Sequence, residues 1–202
     1  MAKARPAIES LEFHPLTPDR WGDFERLFGP HGAYGGCWCM FWRETRSEFA
    51  RNAGEPNRRR MRRLVGRGKI PGILAYAAGE PAGWCSVAPR EDYPSLERSR
   101  VLKPLDDTPV WSIVCFYIAR AYRGRGLAVD LIRAAIEYVR EQGGKVVEGY
   151  PTVVRAGRLP PVSSYLGVPS AFLQAGFEEV ARPSESRRIY RYHIRARRRH
   201  TP

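Results

Sequence analysis

The chain has 202 residues, of which 43% are hydrophobic and 27% charged, ordinary values for a globular domain and unlike those of a disordered chain. That length is room for one domain with its own core, and no apolar run approaches the roughly 18 residues of a membrane-spanning helix. The formal net charge of +13 reads either as a solvated helix face and loose tail or as attraction for an anionic partner, and the opening MAKARPAIESLEF lacks the apolar stretch of a secretory leader, so the expected location is the cytoplasm.

In chain order, Ile8–Phe13 reads as a short strand. Thr17 caps a helix with Pro18 at its first position, and Trp21, Phe24, Leu27 and Phe28 recur at helical spacing until Gly29-Pro30. Residues 29–43, GPHGAYGGCWCMFWR, form a Gly- and aromatic-rich loop that either lines a site or plugs the core. Its Cys37-x-Cys39 pair has no second knuckle, and Cys85 and Cys115 lie in strand-like runs. The cysteines therefore read as free thiols in a reducing compartment, and no metal site is expected.

Glu44–Val65 is helical, split at Gly54-Glu55-Pro56, with Met61, Leu64 and Val65 as its apolar stripe. Residues 51–69 hold eight basic side chains against one acid, the first of two basic strips. Gly72–Ala78 and Pro81–Ala88 form a hairpin around Gly79-Glu80. A polar insertion, Pro89–Asp107, carries a short helix at most. Val110–Ala119, VWSIVCFYIA, is a continuous apolar run suited to a central strand covered on both faces. Gly124–Gln142 is a strong helix ended by Gly143-Gly144. Lys145–Glu148 is a strand, followed by a Pro-rich loop to Pro161. Ser170–Gln174 is a short helix, and Phe177–Arg182 and Arg188–Ile194 are closing strands. Residues 187–202, with seven arginines and no acid, contain the last strand and a basic tail. The order predicts a single mixed α/β domain over residues 1–202.

The segment richest in chemistry is Arg123-Gly124-Arg125-Gly126-Leu127-Ala128, where strand becomes helix. Glycines let the backbone turn tightly and approach a ligand. The unpaired N–H groups of the first helical turn and the helix dipole favour an anion such as a pyrophosphate, and the two arginines add full charges. The spacing fits neither the phosphate-binding loop that ends in Lys-Ser or Lys-Thr nor the dinucleotide fingerprint.

The run F-Y-I-A-R-A-Y-R-G-R-G-L-A, followed by this helix, resembles the acyl-CoA-binding motif of the GNAT superfamily of N-acyltransferases, with Arg123, Gly126 and Ala128 at its Arg/Gln and Gly/Gly-or-Ala positions. A-F-L-Q-A-G-F-E-E-V and R-I-Y-R-Y-H-I look like the family's closing helix, Gly-Phe pair and last strands. The resemblance implies a mostly antiparallel, splayed sheet flanked by helices. It also implies acetyl-CoA as donor, with amides of Arg123–Ala128 on the pyrophosphate and the strand matching Cys115–Ile118 along the pantetheine arm. The amide near Phe116 or Tyr117 would then polarise the thioester carbonyl. Where many members place an acid Tyr, this chain has Phe172. Tyr165 is the inferred substitute, with a packing aromatic as the alternative.

For the base that deprotonates an ammonium, Glu148 at a strand end is the leading candidate and His31 a weaker one; an exposed strand-end charge is the other role open to Glu148. Trp38, Phe41, Trp42, Trp84 and Tyr150 could wall an acceptor pocket. A polycationic acceptor would need the insertion's acids, Glu91, Asp92, Glu97, Asp106 and Asp107. The implied function is N-acetylation of a small-molecule primary amine by direct attack. The rivals are a nucleic-acid- or ribosome-associated protein using the basic strips, and an acyl-CoA-binding regulator without turnover. Homodimerisation stays open.

Overall fold

A computed structural model of the chain describes residue 8, residues 10–153 and residues 165–195. Seven strands are present: β1 (Leu11–Pro15), β2 (Ile73–Ala77), β3 (Glu80–Pro89), β4 (Trp111–Ile118), β5 (Val146–Gly149), β6 (Glu178–Ala181) and β7 (Ile189–His193). They form one sheet in the order β1-β2-β3-β4-β5-β7-β6, antiparallel throughout except for the parallel pair β4 and β5. The helices are α1 (Trp21–Phe28), α2 (Arg46–Arg51), α3 (Glu55–Gly66), α4 (Pro94–Glu97), α5 (Leu127–Glu141) and α6 (Pro169–Gln174). This is the mixed α/β, mostly antiparallel architecture that the sequence implies, with the helical break falling between α2 and α3.

Three boundaries differ from expectation. β1 begins at Leu11, not Ile8, because Ser10 has a φ of +50° and interrupts the extended backbone. Thr17 is the N-cap of a single 3₁₀ turn, Pro18–Arg20, and not of α1, which follows it; its side chain makes no capping bond, and its Oγ1 accepts from Arg20 Nη1 at 2.9 Å. α5 starts at Leu127 because Gly124 (φ +70°) and Gly126 (φ +88°) are left-handed and cannot join a helix. Most of the Pro-rich loop to Pro161, and the tail beyond Arg195, lie outside the described residues.

The two faces of the sheet are packed differently. On one, α5 buries Leu127, Leu131, Ile132, Ala135, Ile136 and Val139 against Val87, Ile113 and Val147. Fully burying such a side chain is worth about 1.5–3 kcal/mol. Gly83 permits the close approach, since a Cβ there would sit 3.1 Å from the Leu127 and Leu131 side chains. On the other face, α1, α3 and the aromatic loop bring Trp21, Phe24, Phe28, Trp38 and Met61 against Leu74 and Trp84.

The β2–β3 hairpin turns on Ala78 and Gly79, with φ values of +49° and +79°, between the paired Ala77 and Glu80. Two positive φ values give the turn whose twist matches the flanking strands. Gly79 adopts this freely, whereas the exposed Ala78 is strained. Ala78→Gly or Ala78→Asn should therefore raise the unfolding free energy by a few tenths to about 1 kcal/mol. Urea denaturation of the variants, read as an unchanged slope with a higher midpoint, checks this.

Candidate active site

β4 is the element around which the site is built. It pairs with β5 only at Trp111–Ile113, opposite Val147–Gly149, and then runs on to Ile118 alone on that side. The cause lies on its other edge. Cys115 is paired with Ser86 but Ile113 with Val87, so Val114 is an extra, bulged residue that bends the strand away from β5. Beyond the bulge, Ala119 N donates to Ala82 O of β3 at 3.0 Å, and by strand alternation the Tyr117 amide faces β3 as well. Phe116 N points the other way, into the gap, where it donates to Tyr165 O at 2.6 Å. Of the two amides considered for a thioester carbonyl, only that of Phe116 reaches the gap.

The gap opens toward the start of α5. Gly126 is the N-cap of α5 and no side chain caps the helix. A Cβ placed at Gly124 or Gly126 would meet nothing within 4 Å, so the two glycines serve the backbone turn and leave open space above it. Arg123 donates from Nε to Ile118 O at 2.7 Å, tying the loop to the end of β4. Leu127 points down into the core and Ala128 is half-buried against it. An open loop with outward N–H groups at a helix start, flanked by Arg123 and Arg125, suits a phosphate.

Beside the gap lies a cavity of about 660 Å³, lined by Phe28, Ala33, Tyr34, Gly35, Cys37, Cys39, Phe41, Trp42, Phe49, Cys115, Phe116, Tyr117, Arg123 and Tyr165. The aromatic loop thus does both things expected of it. Trp38, Cys39 and Met40 are buried in the core, while Tyr34, Cys37, Phe41 and Trp42 line the cavity. Trp38 and Cys39 have φ values of +45° and +59°, a strained geometry held by surrounding packing. Cys39 accepts hydrogen bonds from the Cys115 thiol and from Trp84 Nε1 (3.2 Å), which pull its thiol below the ordinary range. Donation to Cys39, together with burial, pushes Cys115 up, and burial raises Cys37 to about 11.

Tyr165 is in the cavity wall, edge-on to Phe41 at 6.0 Å between ring centroids. Burial raises its phenol above the usual range, with Arg187 opposing the shift, so it is protonated at neutral pH. Phe172 is a core residue with no exposure, packed on Phe116 and Phe177 and directly over Gly149, whose Cβ would fall 2.1 Å from its ring.

The other expected site residues lie elsewhere. Glu148 is 1% exposed and is not an exposed strand-end charge. It accepts from Arg191 Nε at 3.0 Å and Tyr150 OH at 3.2 Å, and lies 3.9 Å from Arg90 Nη1. Tyr150 has no exposure and also bonds Ser112 Oγ (2.8 Å) and Arg90 Nη1 (3.0 Å). Both are structural members of a buried charge network that fastens the insertion to β5 and β7, and neither lines the cavity. Trp84, also with no exposure, does not line the cavity and meets it from behind, through Cys39 and Phe28. Trp38 stacks on Phe28 at 5.8 Å and lines a separate shallow groove with Glu25 and Arg58. His31 is exposed and is not a cavity residue. Of the insertion's acids, Asp92, Glu97 and Asp106 pair with Lys69, Arg90 and Arg191. The lining residues that sequence reasoning missed include Phe28 and Phe49, which read there as ordinary helix positions, whereas Cys115, Phe116 and Tyr117 are expected along the donor strand. For the apolar wall away from β4, the signal was the glycine and aromatic density of 29–43.

Comparison with known proteins agrees with this geometry. The acetyltransferase (GNAT) family model matches residues 38–154, more than half of the chain, and the protein belongs to that family. Solved structures share the fold at low identity. A GNAT-family acetyltransferase from Streptococcus agalactiae is 15% identical with a TM-score of 0.54, over 95% of this chain and 100% of that one. The PaiA N-acetyltransferase from Thermoplasma acidophilum, in complex with coenzyme A, is 12% identical with a TM-score of 0.51, over 92% and 99%. An aminoglycoside acetyltransferase, also in complex with coenzyme A, is 14% identical with a TM-score of 0.51, over 91% and 95%. The chain has no significant match among curated proteins.

Two measurements check the site's physical chemistry. Iodoacetamide should label the cavity thiols Cys37, Cys39 and Cys115 before Cys85, because alkylation needs access as well as thiolate. Cys85, which is fully buried and outside the cavity, should stay unlabelled in the native protein; peptide mapping that finds Cys85 modified as fast as Cys39 would contradict the assignment. Glu148→Gln should cost about 3 kcal/mol or more of unfolding free energy, because it leaves Arg191 and Arg90 facing an uncharged group in the interior. The pH dependence of turnover should be unchanged, which separates a structural carboxylate from a catalytic base.

Proposed function

We propose that this protein transfers an acetyl group from acetyl-CoA to the primary amine of a small molecule, by direct attack of the amine on the thioester. The observation that carries the reading is the alignment along one gap of the open Arg123–Ala128 turn, the freed Phe116 amide of β4 and the cavity. Two proteins of the same fold are complexes with coenzyme A, which supports the donor.

The chain's own groups then have distinct tasks. Backbone amides at the start of α5 bind the pyrophosphate, with Arg123 and Arg125 adding charge. The edge of β4 from Cys115 to Ile118 aligns the amide-bearing arm. The Phe116 N–H polarises the thioester carbonyl by exchanging its bond to the Tyr165 carbonyl for one to the donor. The Tyr165 phenol, protonated at neutral pH, hands its proton to the departing thiolate. The walls of the cavity exclude water and orient the acceptor.

The basic strips fit structural roles as much as an anionic surface. Arg58 pairs with Glu25 and Glu55, Arg60 with Glu44, Arg188 with Glu179, and Arg191 with Glu148 and Asp106. Among the described residues all four cysteines are free, in keeping with a reducing compartment, and no helix is long and apolar enough to cross a membrane.

Acetyl-CoA should raise the melting temperature by mass action. Gly126→Val should abolish that rise, by covering the backbone that meets the pyrophosphate, while the variant still unfolds cooperatively. A retained shift would overturn the assignment of the turn. Tyr165→Phe should lower kcat by about 10²- to 10⁴-fold with little change in the acetyl-CoA melting shift.

A further inference from the structure

The cavity states what kind of amine it can accept. Its walls are aromatic, from Phe28, Phe41, Trp42 and Phe49 among others, with thiols between them. At about 660 Å³ it has the size of a site for one small organic molecule. Among its described lining residues the only charged group is Arg123, and no carboxylate or imidazole is present. A second guanidinium, that of Arg187, interacts with the Tyr165 phenol at the cavity wall. Glu148, the candidate base, is buried among Arg191, Arg90 and Tyr150 outside the cavity.

Three consequences follow for an acceptor. An ammonium would lose its hydration among aromatic walls with no carboxylate among the described lining residues to face it, an arrangement that disfavours the charged form. The indole Nε1–H of Trp42 is buried without a hydrogen-bond partner among the described residues. An ammonium brings only donors to such a wall, whereas a neutral amine has a lone pair. Finally, an alkyl amine with a lysine-like pKa is neutral in only about one molecule per thousand at neutral pH; the described lining holds no carboxylate or imidazole to take its proton, and the Cys39 sulfur is already engaged by Cys115 and Trp84.

Resting on the acetyltransfer reading above, we infer that the acceptor is a weakly basic aromatic amine, uncharged at neutral pH, whose ring packs among the Phe28, Phe41, Trp42 and Phe49 side chains. Its nitrogen attacks the thioester carbonyl carbon and the C–S bond breaks. The electron pair leaves on sulfur, which takes the Tyr165 proton, and the nitrogen proton passes to solvent. Aromatic walls hold such a ring by offset and edge contacts, and the strongly basic protein surface repels polycations.

The test is a kcat/KM series with acetyl-CoA and ring-substituted anilines, benzylamine, spermidine and an aminoglycoside, read as free CoA between pH 6 and 9. Anilines should exceed benzylamine by at least about 10²-fold at neutral pH, with a profile that is flat above their own conjugate-acid pKa. Benzylamine should gain about tenfold per pH unit, and the polycations should not react. Tyr34 lines the cavity and is 68% exposed, so Tyr34→Glu should fold normally. It should move the preference toward benzylamine by about tenfold or more, since the cavity would then hold a counter-charge.

Benzylamine or spermidine acetylated at neutral pH as well as the anilines, with no slope, would overturn the inference. So would a Tyr34→Glu protein with unchanged preference. If acetyl-CoA stabilises the protein but no aniline reacts, this inference alone fails; if acetyl-CoA gives no stabilisation, the donor reading fails as well.

Discussion

The separation of β4 from β5 after three paired residues is the constraint on which the rest of the site depends. A regular parallel ladder would have used the Phe116 amide within the sheet. The extra residue at Val114 bends β4 instead and leaves that amide facing a gap. The cost of unpaired backbone is met by the Tyr165 carbonyl on Phe116 and by Arg123 on the Ile118 carbonyl. Both contacts are single and local, and both lie where a ligand with its own amides would run. The open edge is therefore satisfied without being closed, which suits a strand that must alternate between internal and ligand hydrogen bonds.

The gap is held open from two directions. On one face α5 packs tightly through Gly83, so the start of the helix cannot drift from the end of β4. On the far side the Glu148–Arg191–Asp106 chain, with Arg90 and Tyr150, clamps β5, β7 and the insertion. A buried ion network of this sort is weak as a source of net stability, because desolvation consumes much of its attraction. Its value here is positional: Arg90 also reaches the Leu102 carbonyl at 2.6 Å, so one side chain sets the insertion against the sheet.

Charge and cavity divide the molecule's electrostatics into separate roles. The surface is strongly basic, yet many of its arginines are spent on carboxylates that join α3 to α1 and β7 to its neighbours. The charge near the gap is likewise cationic, suited to a phosphorylated donor. The cavity beside it is apolar, with thiols and aromatic rings. Charge and apolar shape are thus offered side by side and do not compete for one surface.

Much of this is legible in the sequence. The continuous apolar run of β4, the period of α5 and the glycines at 124 and 126 announce local structure whose cause is local: backbone sterics and side-chain spacing. The strands, the turn and the helix around the gap therefore follow from short-range pattern, and the fold class and family from the resemblance that this pattern carries. The acceptor side does not. Glu148 at a strand end looks like an available base, and only Arg191, 43 positions away, occupies it. Trp84 and Tyr150 look like pocket walls, and only packing from distant segments buries them. Phe28 and Cys115 look like core residues until the bulge at Val114 and the loop of 29–43 leave a cavity between them. Whether a side chain faces solvent, ligand or another side chain depends on long-range contacts, and those exist only once the sheet is assembled. The sequence by itself determined the strand, the turn and the helix that border the gap; only the tertiary structure decided which aromatic rings face the cavity and which carboxylate is already paired.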